Sequence, residues 1–309
     1  MPLPETRVSV VILTYNRKSE VLQALAKAHE LSEAAPVYLV DNGSRDGTAD
    51  AVRTRFPRVH IVRLAQNLGA AGRNYGVQSV STPYVAFADD DTWWAPGALG
   101  RAADILDAHP RLAVLTAKVL VGAREREDDA SKRMAASPLR NDSGVPGANV
   151  LGLMAGACMM RRDAFLAMGG YEPRFFFGGE ESLLALDLMS AGWLMAYVPD
   201  VVVHHHPSPV RDVPARRRMR HRNALWCAWL RRPLRSALKE TRRLVREART
   251  DRGLALGLVD GVWGLAWALA HRRVVPARVE EALQRLEAFY AGNWAARSLD
   301  TLDACRQQP

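Results

Sequence analysis

Over its first 120 residues the chain alternates short β-branched runs with amphipathic stretches, and this alternation limits the fold more than any other feature. Residues 8–14 (VSVVILT), 37–40, 60–64, 84–88 and 112–119 are short, apolar and bounded by turn residues, the pattern of strands buried on both faces. Between them 19–31, 48–56, 71–80 and 96–109 read as helices, the first with Val21, Leu22, Leu25 and Ala28 at helical spacing. Strands alternating with helices form a mostly parallel sheet with helices on both faces. The expected class is therefore α/β, in a Rossmann-like arrangement.

The rest of the chain changes character twice. Residues 122–149 are polar, with Pro138, Gly144, Pro146 and Gly147 clustered late, and predict a long, partly mobile loop of the kind that serves as a substrate lid. An apolar stretch at 151–160, a helix from Arg162, a helix over 180–191 and two strands at 194–197 and 201–204 follow. Beyond residue 211 the pattern is helical throughout, with candidates at 216–230, 234–248, 253–270 and 277–290. In the second, Leu234, Leu238, Thr241, Val245 and Ala248 form one stripe, while Arg235, Lys239, Arg242, Arg246 and Arg249 form another, an amphipathic helix with a basic face. The third, LALGLVDGVWGLAWALA, is apolar except for Asp260 and contains Gly257, Gly261 and Gly264. It is short for a bilayer span and reads as a buried or membrane-surface helix. The expected division is a domain at 1–210, with a nucleotide-binding half at 1–121 and an acceptor-side half at 150–210, followed by a basic helical region at 211–309.

Charge supports that division. The net charge is +9, yet 211–250 alone holds fourteen Lys and Arg against three acids, so one segment carries the whole excess. Either something anionic lies near it (a phospholipid surface or phosphorylated acceptor before nucleic acid) or it is a solvated arginine-rich face. Cys158, Cys227 and Cys305 lie far apart without C-x-x-C spacing, which argues against a disulfide framework or a structural zinc site. The first residues lack the apolar core of a signal peptide. The expected location is the cytoplasm, with peripheral contact at the inner face of the plasma membrane.

Strands of a parallel sheet deliver their carboxyl ends to one edge, where ligands bind. Polar clusters follow four of the predicted strands: Thr14-Tyr15-Asn16-Arg17, the run DNGSRDGT from Asp41 to Thr48, Asn67-Leu68-Gly69 with Arg73-Asn74, and Asp89-Asp90-Asp91. Three successive carboxylates repel one another, and a bound cation would relieve them; the alternative is an acidic turn capping the helix after Pro96. Trp93 and Trp94 would stack on a sugar ring or pack in the core. Small residues at Gly156-Ala157-Cys158 would admit a ligand close to the backbone. With no histidine nearby in sequence, Cys158 does not read as a nucleophile. In a regular strand His204 and His206 share one side and His205 takes the other.

VSVVILTYNR, LVDNGSRDGT, NLGAAGRNYG, FADDD, FFFGGEE and AGW…VPDVVVHHH, in that order, closely resemble glycosyltransferase family 2, whose members have the GT-A fold. The resemblance covers about residues 8–206. It implies an inverting transfer of a hexosyl or deoxyhexosyl group from a UDP-, dTDP- or GDP-sugar to a glycan or lipid-linked acceptor, in bacterial cell-surface glycan synthesis. It also implies roles. Thr14, Asn16, Arg17, Asp41, Asn67, Gly69, Arg73, Asp89 and Asp90 would bind the nucleotide sugar. Asp91 and His205 would hold a divalent metal, Mg2+ or Mn2+. Glu181 would be the general base, with Glu180 orienting the loop or acceptor, and Ser208 and Arg211 would close over the diphosphate. Two positions depart from the family: Glu181 stands where many members have aspartate, and Leu183 where a second acid is common. A sugar nucleotidyltransferase and a degenerate transferase serving as a basic scaffold are the alternatives. The C-terminal helices would serve membrane contact or homodimerisation.

Overall fold

Alternate residues of the first strand feed two separate cores. From Val8–Thr14 (β1), Val8, Val10 and Ile12 enter one core and Val11 the other, as a strand covered on both sides requires. The computed structural model describes residues 6–31, 33–141, 144–208 and 213–294. After β1 come Lys18–His29 (α1), Val37–Asp41 (β2), Thr48–Arg55 (α2), His60–Arg63 (β3), Gly72–Ser79 (α3), Tyr84–Asp89 (β4) and Thr92–Trp94 (β5). Next are Ala98–Ala108 (α4), Leu112–Val121 (β6), Arg126–Glu127 (β7), Asp129–Ala135 (α5), Ala148–Asn149 (β8), Cys158–Arg161 (β9) and Arg162–Ala167 (α6). Glu180–Ser190 (α7) and Leu194–His205 (β10) complete the sheet-bearing part.

The main sheet runs β3-β2-β1-β4-β9-β6-β10-β5. Strands β3, β2, β1 and β4 are parallel, as the alternation predicts. Beyond them the sheet is mixed: β9 runs antiparallel to both β4 and β6, and β5 antiparallel to β10. Helices α1, α2 and α4 cover one face through Val21, Leu25, Val52, Leu99 and Leu106. Helices α3, α6 and α7 cover the other through Val77, Phe165, Leu184 and Leu188.

Several expectations need correction. The two strands predicted at 194–204 are one, β10, whose pairing with β6 shifts register between Val198 and Val202. Pro199 has no N–H to donate there, so the strand bulges rather than ends. The stretch 122–149, predicted as one long loop, contains β7, α5 and β8. Asp128 caps α5 by accepting from the Ala130 N–H (2.7 Å), and the buried Ser131 accepts from the Val119 N–H of β6 (3.0 Å).

The C-terminal part is helical: Val213–Arg231 (α8), Leu234–Ala248 (α9), Arg252–Trp263 (α10), Leu265–Ala270 (α11) and Ala277–Trp294 (α12). The single helix expected over 253–270 is broken at Gly264, where an added Cβ would lie 2.4 Å from the Trp226 ring. The face of α9 turned inward is Ser236, Ala237 and Leu244, while Leu234, Leu238 and Val245 of the predicted apolar stripe are exposed. Part of the basic excess is structural rather than solvated. Arg218 pairs with Asp260 (2.6 Å), Arg231 with Asp187 (2.5 Å) and Arg232 with Glu280 (2.8 Å), tying α8 to α10 and α7, and the turn after α8 to α12.

Candidate active site

Parallel register brings the polar clusters together. Thr14 lies opposite Asp41, and Leu13 opposite Asp89, so the strand ends open on one edge of the sheet. A cavity of about 900 Å³ sits there, with Thr14, Arg17, Asn67, Gly69, Arg73, Asp89, Asp90, Asp91, Glu180, Glu181 and His205 all in its wall. Asn16 and Asp41 do not line it. Asn16 adopts φ +52° and joins two loops, its N–H donating to Ser44 Oγ (2.9 Å) and its Oδ1 accepting from the Arg45 N–H (2.8 Å). Asp41 is fully buried; Oδ1 accepts from the Ser44 N–H (2.9 Å), and Oδ2 has no hydrogen-bond partner. Asn67 Oδ1 accepts from Asn42 Nδ2 and from the Gly69 N–H, both at 2.9 Å.

The acidic triplet divides among several partners, with Arg17 Nη1 shared between Asp90 and Asp91 (3.5 Å to Asp91 Oδ2). Asp89 pairs with the buried Arg73. Asp90 accepts from Thr14 Oγ1 (3.0 Å) and Arg17 Nη1 (3.0 Å). Asp91 Oδ1 lies 3.5 Å from His205 Nε2, and its Oδ2 accepts from the Ser208 N–H (3.2 Å). Burial pushes the Asp90 carboxyl up to about 7, with Asp89 and Asp91 adding to the shift against the pull of Arg17 and Thr14. The helix-capping alternative fails, since α4 begins at Ala98 with Gly97 as its cap. The histidines divide as strand alternation predicts: His204 and His206 pack against Trp93, and His205 faces Asp91.

The opposite wall is the turn before α7. Gly178 and Gly179 take φ +80° and +96°, and Phe176 takes φ +60°, a conformation that costs a bulky residue about 1–3 kcal/mol. The Phe177 N–H donates to the Phe175 carbonyl (2.6 Å), and the Phe176 carbonyl accepts from the Ala70 N–H (2.7 Å). Gly69 is required at that crossing, because a Cβ would stand 2.0 Å from the Phe176 oxygen. Glu180 is buried with Oε2 unpartnered, and burial raises its pKa. Glu181 Oε1 accepts from the Ala155 N–H (2.6 Å). Burial, reinforced by Glu180, pushes Glu181 up to about 7, against the Ala155 hydrogen bond and Arg73. A carboxyl poised there exchanges a proton readily at neutral pH.

The sequence model described as glycosyl transferase family 2 matches residues 9–169, more than half of the chain. The chain belongs to this family. It is 29% identical over 300 residues to the N-acetylglucosaminyl-diphospho-decaprenol L-rhamnosyltransferase of Mycobacterium tuberculosis, covering 82% of this chain and 97% of that one. Among solved structures it is similar to the mannosyltransferase PcManGT of Pyrobaculum calidifontis with GDP-Man and Mn2+ (TM-score 0.56, 20% identity, 98% of this chain and 81% of that one). It is also similar to S. aureus TarS 1–349 (TM-score 0.57, 17% identity, 89% of this chain and 83% of that one). At those identities the likeness concerns the fold, which is that of GT-A glycosyltransferases.

For this family 2 glycosyltransferase, some expected features lie elsewhere than the sequence suggested. Neither tryptophan stacks over the main cavity: Trp94 is in the core, and Trp93 lines a separate cavity of about 370 Å³. Gly156 and Ala157 do line the main cavity, and the missing Cβ of Gly156 also makes room for Asp89, whose Oδ2 would be 2.5 Å from it. Cys158 is fully buried and its thiol pKa is pushed up by that burial. Arg211 lies outside the described residues. Sequence reasoning missed the contribution of α8 to the cavity. Arg216 and Arg220 line it, both over the Phe177 ring (4.4 and 5.5 Å to its centre). Asn223 donates to the carbonyls of Phe175 (2.8 Å), Phe177 (3.1 Å) and Gly178 (2.5 Å), clamping the turn that presents Glu181. The i, i+4 spacing of Arg216 and Arg220 was the available signal.

Leu183 also finds its reason here. It is buried with Phe175, Trp226, Leu230 and Ala268, a core made by α7, α8 and α11. The position that the family resemblance assigns to a second acid is covered by the C-terminal helices.

Proposed function

We propose that the chain transfers a deoxyhexosyl or hexosyl group from a nucleoside-diphosphate sugar to a hydroxyl of a diphospholipid-linked saccharide, with inversion. The observation that carries this reading is the single cavity in which the Asp89–Asp91 wall faces Glu181, a carboxyl poised near neutrality. Similarity to the mycobacterial rhamnosyltransferase over nearly its whole length supports a deoxyhexosyl donor such as a rhamnosyl nucleotide and a diphospho-polyprenol acceptor in cell-surface glycan synthesis.

In this reading Glu181 accepts the proton of the acceptor hydroxyl as its oxygen attacks the anomeric carbon, and the nucleoside diphosphate leaves from the opposite face. The hydrogen bond from Ala155 fixes the rotamer of Glu181, and Glu180, whose pKa burial raises against the pull of Arg73 and Arg220, would orient the turn or the acceptor. Arg73 and Asp89 would meet the donor's sugar and ribose. Arg216 and Arg220 supply guanidinium groups suited to an acceptor phosphate.

A divalent ion fits the site in one way. Among the described residues, no group of three or more His, Cys, Asp or Glu side chains is arranged as a metal cage. Asp91 and His205 face each other across 3.5 Å in the cavity wall, and Mg2+ or Mn2+ is commonly held by one or two protein ligands plus substrate phosphates. Asp91 and His205 would hold such an ion, which would supply Lewis-acid stabilisation of the departing diphosphate.

The test is donor turnover by the purified full chain against UDP-, dTDP- and GDP-sugars, with Mn2+, Mg2+ or chelator. Metal-dependent release of one nucleoside diphosphate, lost in Asp91→Ala, supports the reading. Binding of neither nucleotide nor metal by calorimetry would favour a degenerate scaffold instead.

A further inference from the structure

Helix α10 is built inside out. Its protein-facing side is glycine: Gly257 and Gly261 are buried against α8, where a Cβ would come within 2.4 Å of the Arg218 carbonyl and 2.8 Å of the Leu225 side chain. Its outward side carries the large residues, with Leu256 41%, Val259 55%, Val262 57% and Trp263 86% exposed. Leu269 on α11, at 50%, continues the same array past Gly264. A helix in water places its bulk inward; here that order is reversed, and the exposed residues are contiguous rather than scattered.

The adjoining helix α9 shows what would cover this face. It too exposes aliphatics, Leu234 at 57%, Leu238 at 38% and Val245 at 37%. Interleaved with them, and also exposed, are Arg235, Lys239, Arg242, Arg246 and Arg249. The Arg243 guanidinium is neutralised by Glu240 and by Glu247 (2.5 Å); among the described residues none of the five others forms an ion pair with an acid. Apolar side chains beside unneutralised cations complement an anionic bilayer, whose acyl region takes the former and whose phosphates take the latter. Among the described residues no helix is long and apolar enough to cross a membrane, so such a surface lies on the bilayer. The segment 295–309 offers only Leu299 and Leu302 as large aliphatics, too little to cover the array.

We propose that the outer faces of α9, α10 and α11 dock on an anionic lipid bilayer, with Val259, Val262 and Trp263 inserted below the headgroups and the α9 arginines against the phosphates. The inference is independent of the transfer reaction, and its test needs no turnover. Full-length protein is sedimented with phosphatidylcholine vesicles, with and without phosphatidylglycerol, at low and high salt. The expected result is binding to the anionic vesicles alone, weakened by salt. Combined Val259→Asp and Trp263→Asp, at positions already in solvent, should lower the partition coefficient by about a hundredfold or more. Combined Arg242→Glu and Arg246→Glu should lower it by at least about tenfold. Circular dichroism checks that both variants fold. Absence of binding to anionic vesicles, or binding unchanged in the Val259/Trp263 variant, would overturn the proposal. So would a dimer seen by light scattering that the same variant dissociates, without vesicle binding, since the face would then belong to a second copy.

Discussion

Replacing Leu183 by aspartate would restore the acid that the family resemblance leads one to expect, and the structure says that it should destabilise the fold instead. Leu183 is 6% exposed among Phe175, Trp226, Leu230 and Ala268. Losing the buried leucine costs about 1.5–3 kcal/mol. The new carboxyl, without a partner in an apolar core, would have its pKa raised from about 4 to about 7 or above, worth about 4 kcal/mol at pH 7. Together these approach about 6 kcal/mol, comparable to the whole stability of many domains. The carboxyl component has a definite sign. With the folded pKa above the unfolded one, the penalty is absent below the unfolded pKa and grows as pH rises towards the folded one. At pH 5 it should therefore shrink to about 1.5 kcal/mol. Urea unfolding of wild type, Leu183→Asp and the uncharged control Leu183→Asn at pH 5 and pH 7 measures this. A loss below about 1 kcal/mol that does not change with pH would refute the claim that this position belongs to a core built by the C-terminal helices.

The acid pair, its clamp and the glycines give further tests. Turnover should rise with pH through about 7, following deprotonation of Glu181, and Glu181→Gln should remove about 10²–10⁴-fold of it while leaving donor binding in calorimetry intact. Asn223→Ala leaves the Phe177 and Gly178 carbonyls without their donor. It should cost about 2–4 kcal/mol in urea unfolding and lower kcat more than it changes donor affinity. Gly156→Ala drives a methyl into the Asp89 carboxylate and strains its pairing with the buried Arg73; donor affinity should fall at least about tenfold, with a stability loss of about 1–3 kcal/mol in urea unfolding.

The α/β class, strands β1–β4 and β6 and the location of the acidic triplet were legible in the sequence because each rests on local information, whereas the short β5 was not foreseen. Strands buried on both faces must be apolar and short, and parallel strands place their polar ends together. The division of the histidines, His205 towards Asp91 and its neighbours towards Trp93, followed from strand alternation alone. Tertiary structure decided the matters where one segment sets the environment of another. That β9 enters the sheet antiparallel depends on where its connection returns, and a four-residue strand carries no direction. That Leu183 is core rather than a lost catalytic acid depends on Trp226 and Leu230, more than forty positions away. Which faces of α9 and α10 are buried was likewise decided outside the helices themselves. Hydrophobic periodicity tells which side of a helix is apolar, but only the helix packed against it decides which side is buried, and α8 accepts the small residues while leaving Val259 and Trp263 outside.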